Sequence, residues 1–254
     1  MNNKPSKFEN KTKKQGTSKP KTGVSKSKTV VPKSKKTATK SSKPSTGFNY
    51  NNVEKKNKNF MYANLEKSNC YKCDFGASNF DYASFRGAHF KSSNFNKCSF
   101  KWTEFVGTNF KGSSMRSAIF ENAIFDSVKL EGVSFKGAVF NNTVFVNTDM
   151  SQAQDLNLES AGLKILEEMP TIDINETLTN IILDAMKNSF IKKSRVLDTR
   201  EGVINTLSVS ILLGIFSEDE LINGLKEFTE KVDREFYTLS YIIKFTKNLK
   251  KENI

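Results

Sequence analysis

One histidine, three cysteines and one tryptophan among 254 residues leave little material for a metal centre, a disulfide framework or general-base catalysis. No Gly-rich phosphate loop and no Ser-His-Asp set can be assembled, so neither an enzyme nor a cofactor site is expected. No apolar run reaches the about 18 residues a membrane-crossing helix needs. The chain opens on Asn and Lys without a hydrophobic stretch, so no secretory signal is expected. A soluble, cytoplasmic protein in a reducing compartment fits these absences. Proline is nearly confined to the N-terminal segment, with Pro170 the exception.

The charge is unevenly shared. Residues 1–57 carry sixteen Lys against two Glu, while residues 154–254 carry an acidic excess, so the net +13 resides in the N-terminal segment. Residues 1–47 hold few large apolar side chains beyond Phe8 and cannot bury enough area to offset their conformational entropy. Residues 1–50 are therefore expected to be a disordered Lys-rich tail. Residues 1–47 serve either as a spacer or as an arm that loosely holds nucleic acid or another anionic surface, with salt-sensitive affinity and no sequence readout.

From Phe60 to Met150 every fifth residue is Phe, Leu, Met or Cys. Two residues before each, from Ala63 to Thr148, stands a small side chain or Val. Neither a helix of period 3.6 nor a strand of period 2 generates this pattern. The stretch SNFDYASFRGAHF, residues 78–90, shows it plainly, and the pattern over residues 58–153 resembles the pentapeptide-repeat family. That resemblance implies a mainly β fold, a right-handed quadrilateral β-helix with one repeat per face. The large residue and its small partner point inward, and the other three positions point outward. Residues 51–155 are assigned to this solenoid.

Positions twenty apart then stack. Phe60, Phe80, Phe100, Phe120 and Phe140 form one inner column, and Leu65, Phe85, Phe105, Phe125 and Phe145 the next. Phe90 and Phe110 belong to the third column, Phe95 to the fourth. Cys70, Cys73 and Cys98 fall on inward positions and His89 on an outward one, so packing rather than zinc ligation accounts for the Cys-x-x-Cys spacing.

Residues 156–254 read as helical, with helices near 158–169, 174–194, 199–216 and 218–250. Asp198 to Glu201 and Ser217 to Glu220 have capping-box spacing, and Pro170 is placed to end the first helix. The apolar run Val203–Phe216 is too short to span a membrane and is expected as a buried central helix. The last helix is expected to bury Leu221, Leu225, Phe228, Val232, Phe236, Leu239 and Ile243.

Outward positions carry function in such a scaffold. Tyr62, Tyr82 and Trp102 share one outward slot and form an aromatic ladder that serves mutual stabilisation or contact with a partner. Lys72, Lys91, Lys97, Lys111, Arg116 and Lys136 make the third and fourth faces mildly basic. The slot before each large residue, commonly Asn, becomes Ile119, Ile124, Val139 and Val144 in the last coils, with Val106 and Val146 beside them. β-branched residues suit strands, which explains part of this. The rest predicts an apolar patch covered either by the chain's own C-terminal helices or by the same patch on a second copy; a homodimer is the favoured form, with a helix from Leu156 to Met169 capping the open end.

The function expected is a non-catalytic scaffold for an unidentified protein partner. Some pentapeptide-repeat proteins mimic DNA and protect type II topoisomerases. The resemblance therefore implies that alternative, which the interspersed Lys, Arg and acidic residues of this rod disfavour.

Overall fold

The computed structural model describes residues 47–199 and 201–252. The N-terminal segment 1–46, and with it nearly all of the expected tail, lies outside the described residues.

The period of five becomes a solenoid with twenty residues per coil. Among the described residues ten short strands build it: β1 Asn49–Asn51, β2 Asn69–Tyr71, β3 His89–Lys91, β4 Ser99–Lys101 and β5 Glu104–Val106, followed by β6 Ile119–Glu121, β7 Ile124–Asp126, β8 Val139–Asn141, β9 Thr143–Val146 and β10 Leu163–Leu166. Every strand pair is parallel and joins residues twenty apart, as in Phe100 to Phe120 and Phe125 to Phe145. The sheets run β1-β2-β3, β4-β6-β8 and β10-β9-β7-β5. The coil begins before Phe60: Tyr50 in β1 lies beside Cys70 and packs with Phe48 and Val53 on the core.

Each repeat position has a physical reason. The Phe rings of the first column stack at 4.8, 5.4, 5.1 and 5.0 Å from Phe60 to Phe140, with interplanar angles of 5–13°. Phe80, Phe85, Phe90, Phe95, Phe100, Phe105, Phe110, Phe120 and Phe125 are fully buried. Phe60 and Phe140, the ends of their column, are only partly covered. Buried hydroxyls at the small positions donate to a carbonyl 23 residues earlier: Thr103 to Phe80, Thr108 to Phe85 and Ser113 to Phe90, at 2.8, 2.9 and 2.5 Å. Buried acceptors and donors are thereby satisfied inside the coil. Asn and Asp before the large residue close the corner by accepting from the N–H two residues on, as Asn59, Asn64, Asn79 and Asn94 do. Ile119, Ile124, Val139 and Val144 lack such an oxygen, and there the chain forms regular paired strand instead. Cys70, Cys73 and Cys98 are buried in the core and His89 is exposed.

The segment 158–169 is not the expected helix. It lays β10 under β9, pairing Leu163 to Thr143 and Leu166 to Val146. Met150, Ala153, Leu156 and Leu163 close over the end of the core. The segment Leu156–Met169 thus covers the open end as coil and strand. The reason is close approach: a Cβ on Gly162 would lie 2.0 Å from the Phe140 carbonyl oxygen, so the backbone itself rests on the last coil. A helix would hold that backbone away and leave the Thr143 N–H without its Gly162 acceptor.

Among the described residues five helices follow: α1 Glu176–Ala185, α2 Ser189–Ser194, α3 Thr206–Leu213, α4 Glu218–Lys231 and α5 Ser240–Glu252. The expected helix 174–194 breaks because the Asn188 side-chain oxygen caps α2, while its amide donates to the Thr229 carbonyl at 3.0 Å. Asp198 opens no helix. It bridges to Ile204 and takes the Arg195 guanidinium, and α3 starts instead at the Asn205 cap. Ser217 and Glu220 do form the capping box of α4. The expected helix 218–250 is interrupted after Lys231, and Phe236 and Leu239 reach the core from the connecting loop. Leu221, Leu225, Phe228, Phe236, Leu239 and Ile243 are buried as expected, with Val232 partly so. Val203 is exposed and precedes the helix, whereas Val209 and Leu212 are in the helical core. Among the described residues, no helix is long and apolar enough to cross a membrane.

Candidate partner-binding groove

The helices dock on the second face of the rod. Val144 and Val146 are buried against Leu207 of α3, with Ile124, Leu166, Met169 and Ile211 around them. Half of the apolar patch is therefore covered by the chain's own helix, and a second copy cannot use Val144. Ile119 and Val139, on the neighbouring face, are exposed. The repeat places these residues side by side but does not show which face α3 takes, because α3 starts at the Asn205 cap rather than at residue 199.

A polar seam fixes the docking angle. Glu104, nearly fully buried on the same face, accepts from the Leu239 N–H at 2.5 Å, and the Arg86 guanidinium stands 3.9 Å away. Arg86 also donates to the Arg195 carbonyl at 3.2 Å. Burial pushes the Glu104 carboxyl above its ordinary value, partly opposed by Arg86 and by the Leu239 N–H. A cavity of about 480 Å³ beside the seam is lined by Trp102, Glu104, Ile124, Ile211 and Lys247, among others.

This docking sets α5 and the 235–240 loop opposite the aromatic ladder. Between them runs a groove of about 650 Å³. One wall is Tyr62, Tyr82 and Trp102; the other includes Phe236, Tyr237, Tyr241, Lys244, Lys247 and Lys251. Tyr62 and Tyr82 stack at 4.9 Å and 14°, so one face of each ring is turned to the other. Trp102 packs on the helical core and anchors the ladder's end. Tyr241 stacks on Phe236 at 5.0 Å, firming the opposite wall. The Tyr82 hydroxyl is pushed up by burial first, then by Tyr62 and Asp81. Lys244, Lys247 and Lys251 are exposed and make no ion pair among the described residues.

The ladder sits on the left-handed corners of the coil: Tyr62, Tyr82 and Trp102 have φ of 61°, 62° and 55°, and Lys67, Lys72, Ala77, Ser92 and Lys97 adopt 52–60° at the corresponding corners. The next rungs of the same column, Asn122 and Asn142, suit that region and bond to each other at 2.6 Å. Sequence reasoning found the ladder. It missed the facing lysines, since one continuous helix over 218–250 gives α5 no separate orientation.

The rod's acids are largely engaged. Asp74 pairs with Lys56, Glu121 with Lys101 and Glu131 with Lys111. Asp81 is buried and accepts from the Ser99 hydroxyl and the Lys101 N–H. Asp126 is buried and accepts from Ser127. Of the basic residues on the third and fourth faces, Lys72 lies over the Tyr71 ring, and Lys91, Lys97, Arg116 and Lys136 are exposed. Among the described residues, no group of three or more His, Cys, Asp or Glu is placed to hold a metal ion.

Known proteins match the rod. Residues 95–138 match the description "Pentapeptide repeats (9 copies)", and residues 59–96 and 123–154 match "Pentapeptide repeats (8 copies)". No curated protein matches the chain. Among solved structures, similarity extends to HetL, a pentapeptide repeat protein involved in heterocyst differentiation regulation from the cyanobacterium Nostoc. It is 16% identical with a TM-score of 0.27, over 41% of this chain and 46% of HetL, so the chain spans less than half of HetL's length. A trypsin-treated form of QnrB1, a plasmid-mediated fluoroquinolone resistance protein, is 18% identical with a TM-score of 0.29, over 47% of this chain and 83% of that one. Rfr23 from the cyanobacterium Cyanothece is 19% identical with a TM-score of 0.28, over 43% and 89%. Residues 59–154, whose twenty-residue coils and inward Phe columns the structure displays, belong to the pentapeptide-repeat family.

Proposed function

We propose that the chain is a non-catalytic interaction scaffold whose binding site is the groove between the aromatic ladder and α5. The carrying observation is that three aromatics in one outward column, Tyr62, Tyr82 and Trp102, form one wall of a groove whose other wall carries Lys244, Lys247 and Lys251. The basic segment 1–47 adds loose, salt-sensitive attraction toward an anionic partner.

Panning a random peptide library on the full chain tests this reading. Enrichment is expected on the native protein and not on a Tyr62→Asn, Tyr82→Asn variant, whose new side chains continue the existing Asn column. Failure to enrich any groove-dependent peptide refutes it.

The other reading makes the rod a topoisomerase binder, in the manner that QnrB1's description as a fluoroquinolone resistance protein suggests. It requires a row of free outward carboxylates. The engagement of Asp74, Asp81, Glu104, Glu121, Asp126 and Glu131 speaks against it. Protection of gyrase supercoiling from a fluoroquinolone would restore it.

A further inference from the structure

We infer that the groove takes an acidic, amphipathic segment of a partner protein, with apolar side chains on the ladder and carboxylates on α5. This rests on the reading of the groove as the binding site. The argument is charge complementarity set against shape. Lys244, Lys247 and Lys251 follow one another at three and four residues, the spacing that puts them on one helix face. They span about 10 Å at 1.5 Å per residue. The ladder from Tyr62 to Trp102 covers two coil steps, also about 10 Å at the strand spacing. A row of cations and a row of aromatics of equal length therefore flank the same groove.

Other occupants fit less well. The chain's own segment 1–57 carries sixteen Lys and two Glu, so the lysine row repels it. Single-stranded nucleic acid would satisfy the lysines, yet it binds by stacking bases on open ring faces. Here Tyr62 and Tyr82 spend one face each on the other and Trp102 packs on the helical core, which leaves the ladder fewer ring faces for bases. The aromatic wall instead suits aliphatic and aromatic side chains, in the way amphipathic segments seat in grooves. The one groove-lining carboxylate of the loop, Glu235, is already held by Lys193 and by the Tyr237 hydroxyl, so it leaves the lysine row uncancelled.

The test uses the full chain and a fluorescent synthetic peptide of about twelve residues, alternating Asp or Glu with Leu or Phe. A Lys-for-acid version, an oligothymidylate and anionic lipid vesicles are the competing probes. The acidic peptide should bind, weaken with added salt, and lose about tenfold in affinity in Lys244→Glu, Lys247→Glu. Lys226→Glu, on the exposed side of α4, should leave binding unchanged. Tyr62→Asn, Tyr82→Asn should weaken binding while leaving its salt dependence intact. Equal binding of the Lys-for-acid peptide, or indifference to Lys244→Glu, Lys247→Glu, overturns the inference. So does displacement of the acidic peptide by the oligothymidylate or the vesicles. If library panning returns groove-dependent peptides that are not acidic, the inference fails and the scaffold reading stands. If panning returns none, the scaffold reading itself fails.

Discussion

Removing the ring of Phe100 probes the core most directly. Phe100 is fully buried, with Phe80 and Phe120 stacked on its two faces at 5.4 and 5.1 Å, and the Phe105 ring 5.3 Å away across the coil. Phe→Ala in a packed interior costs about 3–5 kcal/mol as transfer plus cavity. Each lost aromatic pair adds about 0.5–1.5 kcal/mol beyond area. With two stacked partners and rigid coils on both sides, Phe100→Ala belongs at the upper end, about 4–5 kcal/mol. Phe60→Ala, at a partly covered column end with one stacked neighbour at 4.8 Å, should cost about half as much. Lys101→Ala loses only a half-exposed ion pair with Glu121 and should leave the urea midpoint nearly unchanged. Urea titration followed by circular dichroism and by tryptophan fluorescence reads all three. Equal midpoint shifts for Phe100→Ala and Phe60→Ala would refute the layered core, because stacking from both sides would then carry no energy.

Further outcomes follow from the docking seam and the corners. Glu104 has a raised carboxyl pKa, so the folded state holds this proton more tightly than the unfolded chain. Its contribution is full below the ordinary carboxylate value and is lost as pH rises through the raised one. Glu104→Gln, which keeps an acceptor for the Leu239 N–H, should flatten that fall in urea midpoints as pH rises above the ordinary carboxylate value. Val144→Asp places a charge under Leu207 and should loosen α3 from the rod, read as faster amide exchange in α3 with the Phe columns still protected. Ser217→Ala removes the capping box of α4 and should cost about 1 kcal/mol in thermal unfolding. Tyr62→Asn should change stability by less than about 1 kcal/mol, since relief of the left-handed corner opposes the loss of ring stacking.

The rod was legible because its rule is local and repeats. Counting excludes a helix or a plain strand, and the four-repeat coil that the family resemblance implies then places the columns, turns the cysteines inward and leaves His89 outward. Its ends were less legible. Leu163–Leu166 carries no large residue in a buried central slot: Ile165 sits opposite Phe145 yet is exposed, so the pattern fades while the pairing continues. In the helical part the composition of the core could be read, but its segmentation could not. Asn175, Asn188 and Asn205 cap three helices, and each looks like an ordinary polar residue in an apolar periodic run. The groove fell between these two cases. Its ladder obeys the repeat, while its lysine row depends on a helix orientation that only the packing of Phe236 and Leu239 determines.

The twenty-residue coil also dictates which insertions the gene can accept. Duplicating one whole coil ahead of Glu104 would lengthen the rod by about 4.8 Å, the spacing of paired strands. Every side of the rod would keep its direction, so the seam at Arg86 and Glu104 could be retained while the ladder gains a rung. Duplicating a single repeat of five would instead turn everything before it by a quarter of a revolution, carrying Tyr62 and Tyr82 to a side of the rod that α5 does not face. Selection on the length of the groove therefore works in units of four repeats, and a lineage that changed partners by resizing this site would show insertions in multiples of sixty nucleotides.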